Sequence, residues 1–268
     1  MEQTLTPSVI SGIFAICLYL FAVLTSLISL KSSSNRHLGL NLMTIAAVVT
    51  HGFYLYLTID TQEQQNLNLF NMMGLTNWLA MIILLLNAFK REVTLMIVVI
   101  GSFAAMSVLL GLTYSKENTM QLGGQWASLV HIFAAIIATG FLLLAAIQAI
   151  LVIIADRQLR SHPTHLPSFF PPLQSLESFL FQLLVMGFAL MSLALVIALF
   201  YLDTAISHQP IHKSVLSTLA WVVFAVLLIG HRWRGWRGRQ AAHWTLGGFT
   251  LLCIGYFGSK LVIELILN

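Results

Sequence analysis

The chain is built from long apolar runs parted by short polar stretches. Eight runs can be drawn: Ser8–Leu30, Leu38–Leu57, Met72–Phe89, Val93–Thr113, Ser128–Ala155, Leu176–Leu202, Lys213–Gly230 and His243–Leu267. A helix needs about 20 apolar residues to cross the hydrocarbon of a bilayer, and these runs are near that length. In lipid a single segment has to satisfy its own backbone amides, so runs of this kind predict helices. The expected fold class is therefore all-α, a polytopic membrane bundle of about eight transmembrane helices forming one domain over residues 1–268. Between the third and fourth runs only Lys90–Arg91–Glu92 remain, which leaves room for nothing but a helical hairpin.

The polar stretches carry an orientation signal. One set of alternate loops holds Lys31 and Arg36, Lys90 and Arg91, Arg157 and Arg160, then Arg232, Arg234, Arg237 and Arg239, ten of the thirteen basic residues. The other set holds Lys116 and Lys213 beside Asp60, Glu63, Glu117 and Asp203. Basic residues favour the cytoplasmic side, so both termini are expected in the periplasm and the arginine-rich loops in the cytoplasm. The first run lacks a basic leader before it and reads as a retained helix rather than a signal peptide. Pro163, Pro167, Pro171 and Pro172 mark the one long cytoplasmic loop as a connector, because proline removes a backbone donor and fixes φ. Outside, Ile59–Asn71 and Tyr114–Ala127 are polar and too short to fold alone.

Composition agrees with this picture. Of 268 residues 58% are hydrophobic and 8% charged, against roughly a quarter charged in a soluble protein, which excludes a soluble globular enzyme. The net charge of +4 does not point to nucleic acid, because its placement between apolar runs is that of topology signals. Cys17 and Cys253 both lie within apolar runs, far from any disulfide or metal spacing.

Candidate chemistry narrows to histidine. There is no nucleotide loop, zinc spacing, nucleophile elbow or carboxylate pair, and so no catalytic constellation. Of nine Asp and Glu, all but Glu264 fall in loops or at helix ends, which argues against a coupled transporter with a midmembrane carboxylate. His37, His162 and His165 belong to cytoplasmic loops, and His243 opens the last run. His51 and His131 lie inside apolar runs, where an ionisable side chain usually has a partner. By helical rise, His51 is about 9 Å below the outer boundary and His131 within about 5 Å of it. Two imidazoles at comparable depth on separate helices suit a bis-histidine haem; they equally suit histidines bonded across a helix interface with no cofactor. From His131 the same face carries Ala134, Ala135 and Ala138, small enough for either a macrocycle or another helix. His212, with His208 upstream, stands before the seventh run on the outer side, and His231 ends that run on the inner side. Trp126 reads as an interfacial anchor or as part of an outer haem platform. His231–Arg232–Trp233–Arg234–Gly235–Trp236–Arg237–Gly238–Arg239 reads most simply as an anchor with arginines near lipid phosphates.

The last half of the chain carries a family resemblance. His212–Lys213–Ser214–Val215–Leu216, Gly235–Trp236–Arg237–Gly238–Arg239, Gly255–Tyr256–Phe257–Gly258–Ser259 and Leu129–Val130–His131 together resemble the cytochrome c assembly family, which includes CcsA, CcmC and HemX-like proteins. Pro171–Pro172–Leu173 and Trp236–Arg237–Gly238–Arg239 look nearest the YpjD-like bacterial inner-membrane branch. The resemblance implies that His131 corresponds to an outer haem-ligating histidine, and His231 to one near the end of the penultimate helix. The tryptophan-rich outer motif expected before the seventh helix is replaced by Thr204–Ala205–Ile206–Ser207–His208–Gln209–Pro210, and the outer histidine expected after the last helix is missing. The resemblance therefore implies a haem-binding or accessory relative, not the ligase. The expectation is a multi-pass protein of the bacterial inner membrane that binds haem b through His131, with His51 or His212 opposite. Its expected partners are membrane lipid and haem-handling or cytochrome c assembly proteins, with no nucleic acid. A transporter or transporter-accessory subunit, and a haem-free scaffold regulating a partner, are the rival readings.

Overall fold

The computed structural model describes residues 6–31, 37–61, 64–88, 92–114, 118–120, 126–161, 170–201 and 211–258. These residues form eight α-helices, three very short strands and one closing π-helical turn. Seven of the helices are long and apolar enough to cross a membrane, so the chain is a multi-pass membrane protein. It divides into two compact units, Met1–Gly124 and Gln125–Asn268.

The first unit contains α1 (Pro7–Lys31), α2 (His37–Ile59), α3 (Leu69–Asn87) and α4 (Thr94–Thr113). Helix α1 packs on α2 and α4, and α3 packs on α2 and α4. Outward-facing positions such as Phe14, Leu24, Val49 and Leu86 are exposed, while Ala15, Tyr19, Ala47, Met81 and Ile100 are buried. With lipid as apolar as the core, the buried face is set by close packing and polar ties rather than by hydrophobicity. Trp78 Nε1 donates to the Val48 carbonyl at 2.7 Å, joining α3 to α2. Helix α3 starts at Leu69, three residues before the apolar run predicts, because Asn68 caps it: the Asn71 amide donates to Asn68 Oδ1 at 2.8 Å.

The two polar segments expected to lack structure of their own form some together. β1 (Asp60–Thr61), β2 (Gln64–Asn66) and β3 (Thr119–Met120) make one antiparallel sheet in the order β1-β2-β3. Asparagines tie it to the helices. Asn66 Oδ1 accepts from the amides of Asn68 at 3.3 Å and Asn118 at 3.1 Å, and Asn71 Nδ2 donates to the Asn66 carbonyl at 2.9 Å. The first segment pairs β1 with β2 on itself, and β3 from the second segment completes the other edge of β2.

The second unit contains α5 (Trp126–Ser161), α6 (Leu173–Tyr201), α7 (Ile211–Arg234), α8 (Gly238–Cys253) and the π-helical turn Ile254–Gly258. Helix α5 packs on α6 and α8, and α7 on α6, α8 and the π-helical turn. A Cβ on Gly187 would stand 2.8 Å from Leu142 Cδ2, so α5 and α6 approach as closely as only glycine permits. Gln148 Nε2 donates to the Leu176 carbonyl across the same interface at 3.0 Å.

Here the element ends differ from the sequence reading. Helix α7 runs to Arg234 and α8 begins at Gly238, so most of the expected arginine-rich loop is helical and only Gly235–Trp236–Arg237 turns. Gly235 (φ 68°) and Gly238 (φ 55°) occupy the left-handed region, which lets the chain reverse within three residues. His243 consequently lies within α8 rather than at its start.

Candidate functional site

Three histidines have side chains held in defined ways. The first is His131, in the second turn of α5. Its ring is half-buried, and its Nδ1 lies 2.8 Å from the Ala194 carbonyl on α6. A carbonyl only accepts, so Nδ1 must carry the proton and donate. In the neutral imidazole the lone pair is then on Nε2, the orientation in which a histidine with a carbonyl behind it ligates a metal. Ala134 and Ala138 on this face are buried and Ala135 is half-buried. Around the same end of the unit, Trp126 and Tyr201 meet edge to face with centroids 5.4 Å apart, both exposed. Lys213, in the first turn of α7, lies with Nζ 5.1 Å from the Tyr256 ring centroid.

His231, in the last turn of α7, is held the same way at the arginine-rich end. Its Nδ1 donates to the Trp236 carbonyl at 2.8 Å, and its ring stacks on Phe181 of α6 with centroids 3.5 Å apart. The carbonyl reaches back because the turn is tight: the Trp236 amide donates to the Gly230 carbonyl at 3.3 Å. A Cβ on Gly230 would stand 2.5 Å from the Trp236 indole, so a glycine is needed there. Trp236 in turn stacks on Trp244 of α8. His231 lines a cavity of about 820 Å³ between the start of α6 and the end of α7, in the range of ligand sites.

His51 belongs to the first unit and is different. It is fully buried, its Nδ1 shares a hydrogen bond with the Tyr19 hydroxyl at 3.1 Å, and its Nε2 is buried with no hydrogen-bond partner. Tyr19 lies edge to face against the ring and Tyr54 is tilted beside it. A Cβ on Gly74 would stand 3.4 Å from His51 Nε2, 3.1 Å from Leu55 Cδ2 and 4.0 Å from Ser107 Oγ. The donor atom suits an axial ligand, but the space beside it is closed by α3 and α4.

The remaining sequence candidates are placed by backbone alone or not at all. His37 is the first residue of α2 and His212 the second of α7, with their side chains outside the description; His243 is exposed on α8. His162, His165 and His208 lie outside the described residues, as does the stretch that replaces the tryptophan-rich motif. Sequence reasoning did not find Tyr19, Ala194, Phe181 or Trp236 as histidine partners. The glycines flanking Trp236 were the one available signal. Among the described residues no three His, Cys, Asp or Glu side chains group as a metal cluster.

Comparison of the whole sequence with known proteins places this bundle in a class. The chain belongs to the cytochrome c assembly protein family, whose model matches residues 66–267. Among individual relatives, inner membrane protein YpjD of Escherichia coli K12 is 32% identical over 224 residues, covering 83% of this chain and 85% of its own. An uncharacterized 28.8 kDa protein of Azospirillum brasilense is 34% identical over 148 residues, covering 54% of each chain. No solved structure matches.

Proposed function

We propose that this protein is a haem-binding member of its family in the bacterial inner membrane, with a haem-handling or accessory part in cytochrome c biogenesis. The reading rests on one observation above the others, the bond from His131 Nδ1 to the Ala194 carbonyl, which leaves the Nε2 lone pair to an iron. Haem b would supply a redox-active iron when bound, and the chain would hold it through the imidazole of His131. His212 is the opposite ligand in this proposal, since it belongs to the same unit, whereas His51 belongs to the other unit and its ring is sealed. Trp126, paired with Tyr201, would give the macrocycle an aromatic edge near the surface. His231 meets the same chemical requirement and is the candidate at the other end of the unit. The termini are proposed to face the periplasm, in keeping with the ten basic residues in the alternate loops. Strong periplasmic phosphatase activity from a fusion at Gly238, with none at Gln64, would reverse that orientation.

The test is the visible spectrum of the detergent-purified protein, as isolated and after dithionite. Two imidazoles give a low-spin centre with sharp reduced bands. His131→Ala is expected to lower haem content or convert it to high spin, with partial rescue by added imidazole. His37→Ala is expected to do neither. A monodisperse His131→Ala protein with the wild-type spectrum and full occupancy would remove His131 as the ligand.

A haem-free scaffold is the second reading, favoured by the same bond, which also ties α5 to α6. It requires a colourless purified protein that stays colourless when haemin is added.

A further inference from the structure

We propose that the cavity at the arginine-rich end of the second unit is a binding site for an anionic phospholipid of the surrounding bilayer. Its lining changes character along α6. Helix α6 leaves the Pro171–Pro172 turn at Leu173, and the first lining residues, Gln174, Glu177 and Ser178, are polar. Phe181, Gln182, Val185 and Met186 follow, with Leu228 facing from α7, so beyond Ser178 the lining is mainly apolar with one amide in it. From Glu177 to Met186 the helix advances about 13 Å, so the cavity passes from the helix end into the apolar span. An occupant must be polar at one end and apolar at the other.

Charge decides the polar end. Arg232 and Arg237 both line the cavity and Glu177 is the single carboxylate there, so the arginines outnumber the carboxylate two to one. Guanidinium groups suit phosphate oxygens, which they can grip by two parallel bonds. The apolar end points to the source of the ligand. Val185 is 52% and Met186 50% exposed on a face of apolar residues, so the cavity opens sideways where acyl chains lie. A ligand arriving from water would have to displace those chains; a lipid of the same leaflet brings one with it.

The lower wall of the site is also the device that holds His231. Arg237 belongs to the turn whose Trp236 carbonyl accepts from His231 Nδ1, and Glu177 Oε1 lies 3.4 Å from where a Cβ on Gly238 would stand. A phosphate gripped by Arg232 and Arg237 would therefore brace that turn and the imidazole behind it.

Native mass spectrometry of the full-length protein in detergent, titrated with dioleoylphosphatidylglycerol or dioleoylphosphatidylcholine, tests the site. Saturable binding of the anionic lipid, with the zwitterionic lipid at least tenfold weaker, is expected. Excess inorganic phosphate should leave it in place. Replacing both arginines, Arg232→Gln with Arg237→Gln, should weaken phosphatidylglycerol roughly thirty-fold. Arg160→Gln, a basic residue away from the cavity, should change nothing. Val185→Trp, which fills the apolar end and spares every charge, should also weaken the anionic lipid if the chain occupies that end. Equal binding of the two lipids, full displacement by phosphate, or indifference to both the double arginine change and Val185→Trp would overturn the proposal.

Discussion

His51 in the first unit and His131 and His231 in the second show two ways of keeping an imidazole in a membrane bundle. The second-unit pair each donate Nδ1–H to a backbone carbonyl, of Ala194 and Trp236, at 2.8 Å. A carbonyl accepts and never donates, so it fixes the tautomer and reserves Nε2. His51 instead meets the hydroxyl of Tyr19, which can donate or accept and fixes nothing. The second-unit rings are half-buried, while His51 has no exposure at all. A backbone partner reserves Nε2 on a ring that stays partly accessible; a side-chain partner in a sealed core ties helices together. That contrast is why His131 and His231 carry the functional reading more directly than His51.

The comparison can be broken most decisively by spectrum. On the proposed haem reading His131→Ala should strip or convert most of the cofactor, while His51→Leu should leave the spectrum in place and act on stability. Removing the imidazole orphans the buried Tyr19 hydroxyl, at a cost of about 1–3 kcal/mol, read as a lower thermal midpoint in detergent. Loss of haem from a well-folded His51→Leu protein would make His51 a ligand and erase the distinction. Gly230→Ala sharpens the second-unit side, since its methyl would drive into the Trp236 indole and loosen the carbonyl behind His231. Overpacking of that kind costs about 1–3 kcal/mol, and tryptophan emission should shift with it. Asn68→Ala removes the cap of α3 and should cost about 1 kcal/mol, lowering the midpoint while leaving any haem spectrum unchanged. The smallest effect belongs to Arg160→Gln: Arg160 is exposed and its Nε pairs one helical turn back with Asp156 Oδ2 at 2.9 Å, a carboxylate that keeps Arg239 Nε at 4.0 Å, so about 0.5 kcal/mol is expected.

Much of the fold was legible beforehand because lipid allows so few solutions. Among the described residues each helix overlaps one apolar run, though seven rather than eight are long and apolar enough to span, and ends differ where a side chain or a glycine sets them: Asn68 at α3, Gly235 and Gly238 between α7 and α8. The asparagines that build the small sheet were visible as polar residues only. Their partners lie up to 52 positions apart, as in the Asn118 amide bound by Asn66, and no local period marks such a pair.

The candidate site divides along the same line. Hydropathy, the placement of basic residues and the short motifs around His131, His212 and Trp236 determined a multi-pass α-helical bundle and its family, since each depends on residues close in sequence. Which ring nitrogen is reserved, and which histidine is sealed away, depended on groups brought from other helices: Ala194 is 63 residues from His131, and Tyr19 is 32 from His51. The cavity beside His231 likewise exists only because α6 and α7 run past one another with Phe181 against the imidazole. Backbone solvation in lipid acts within one segment and can be read along the chain. Tautomer, burial and cavity shape are properties of neighbours, and only packing decides who the neighbours are.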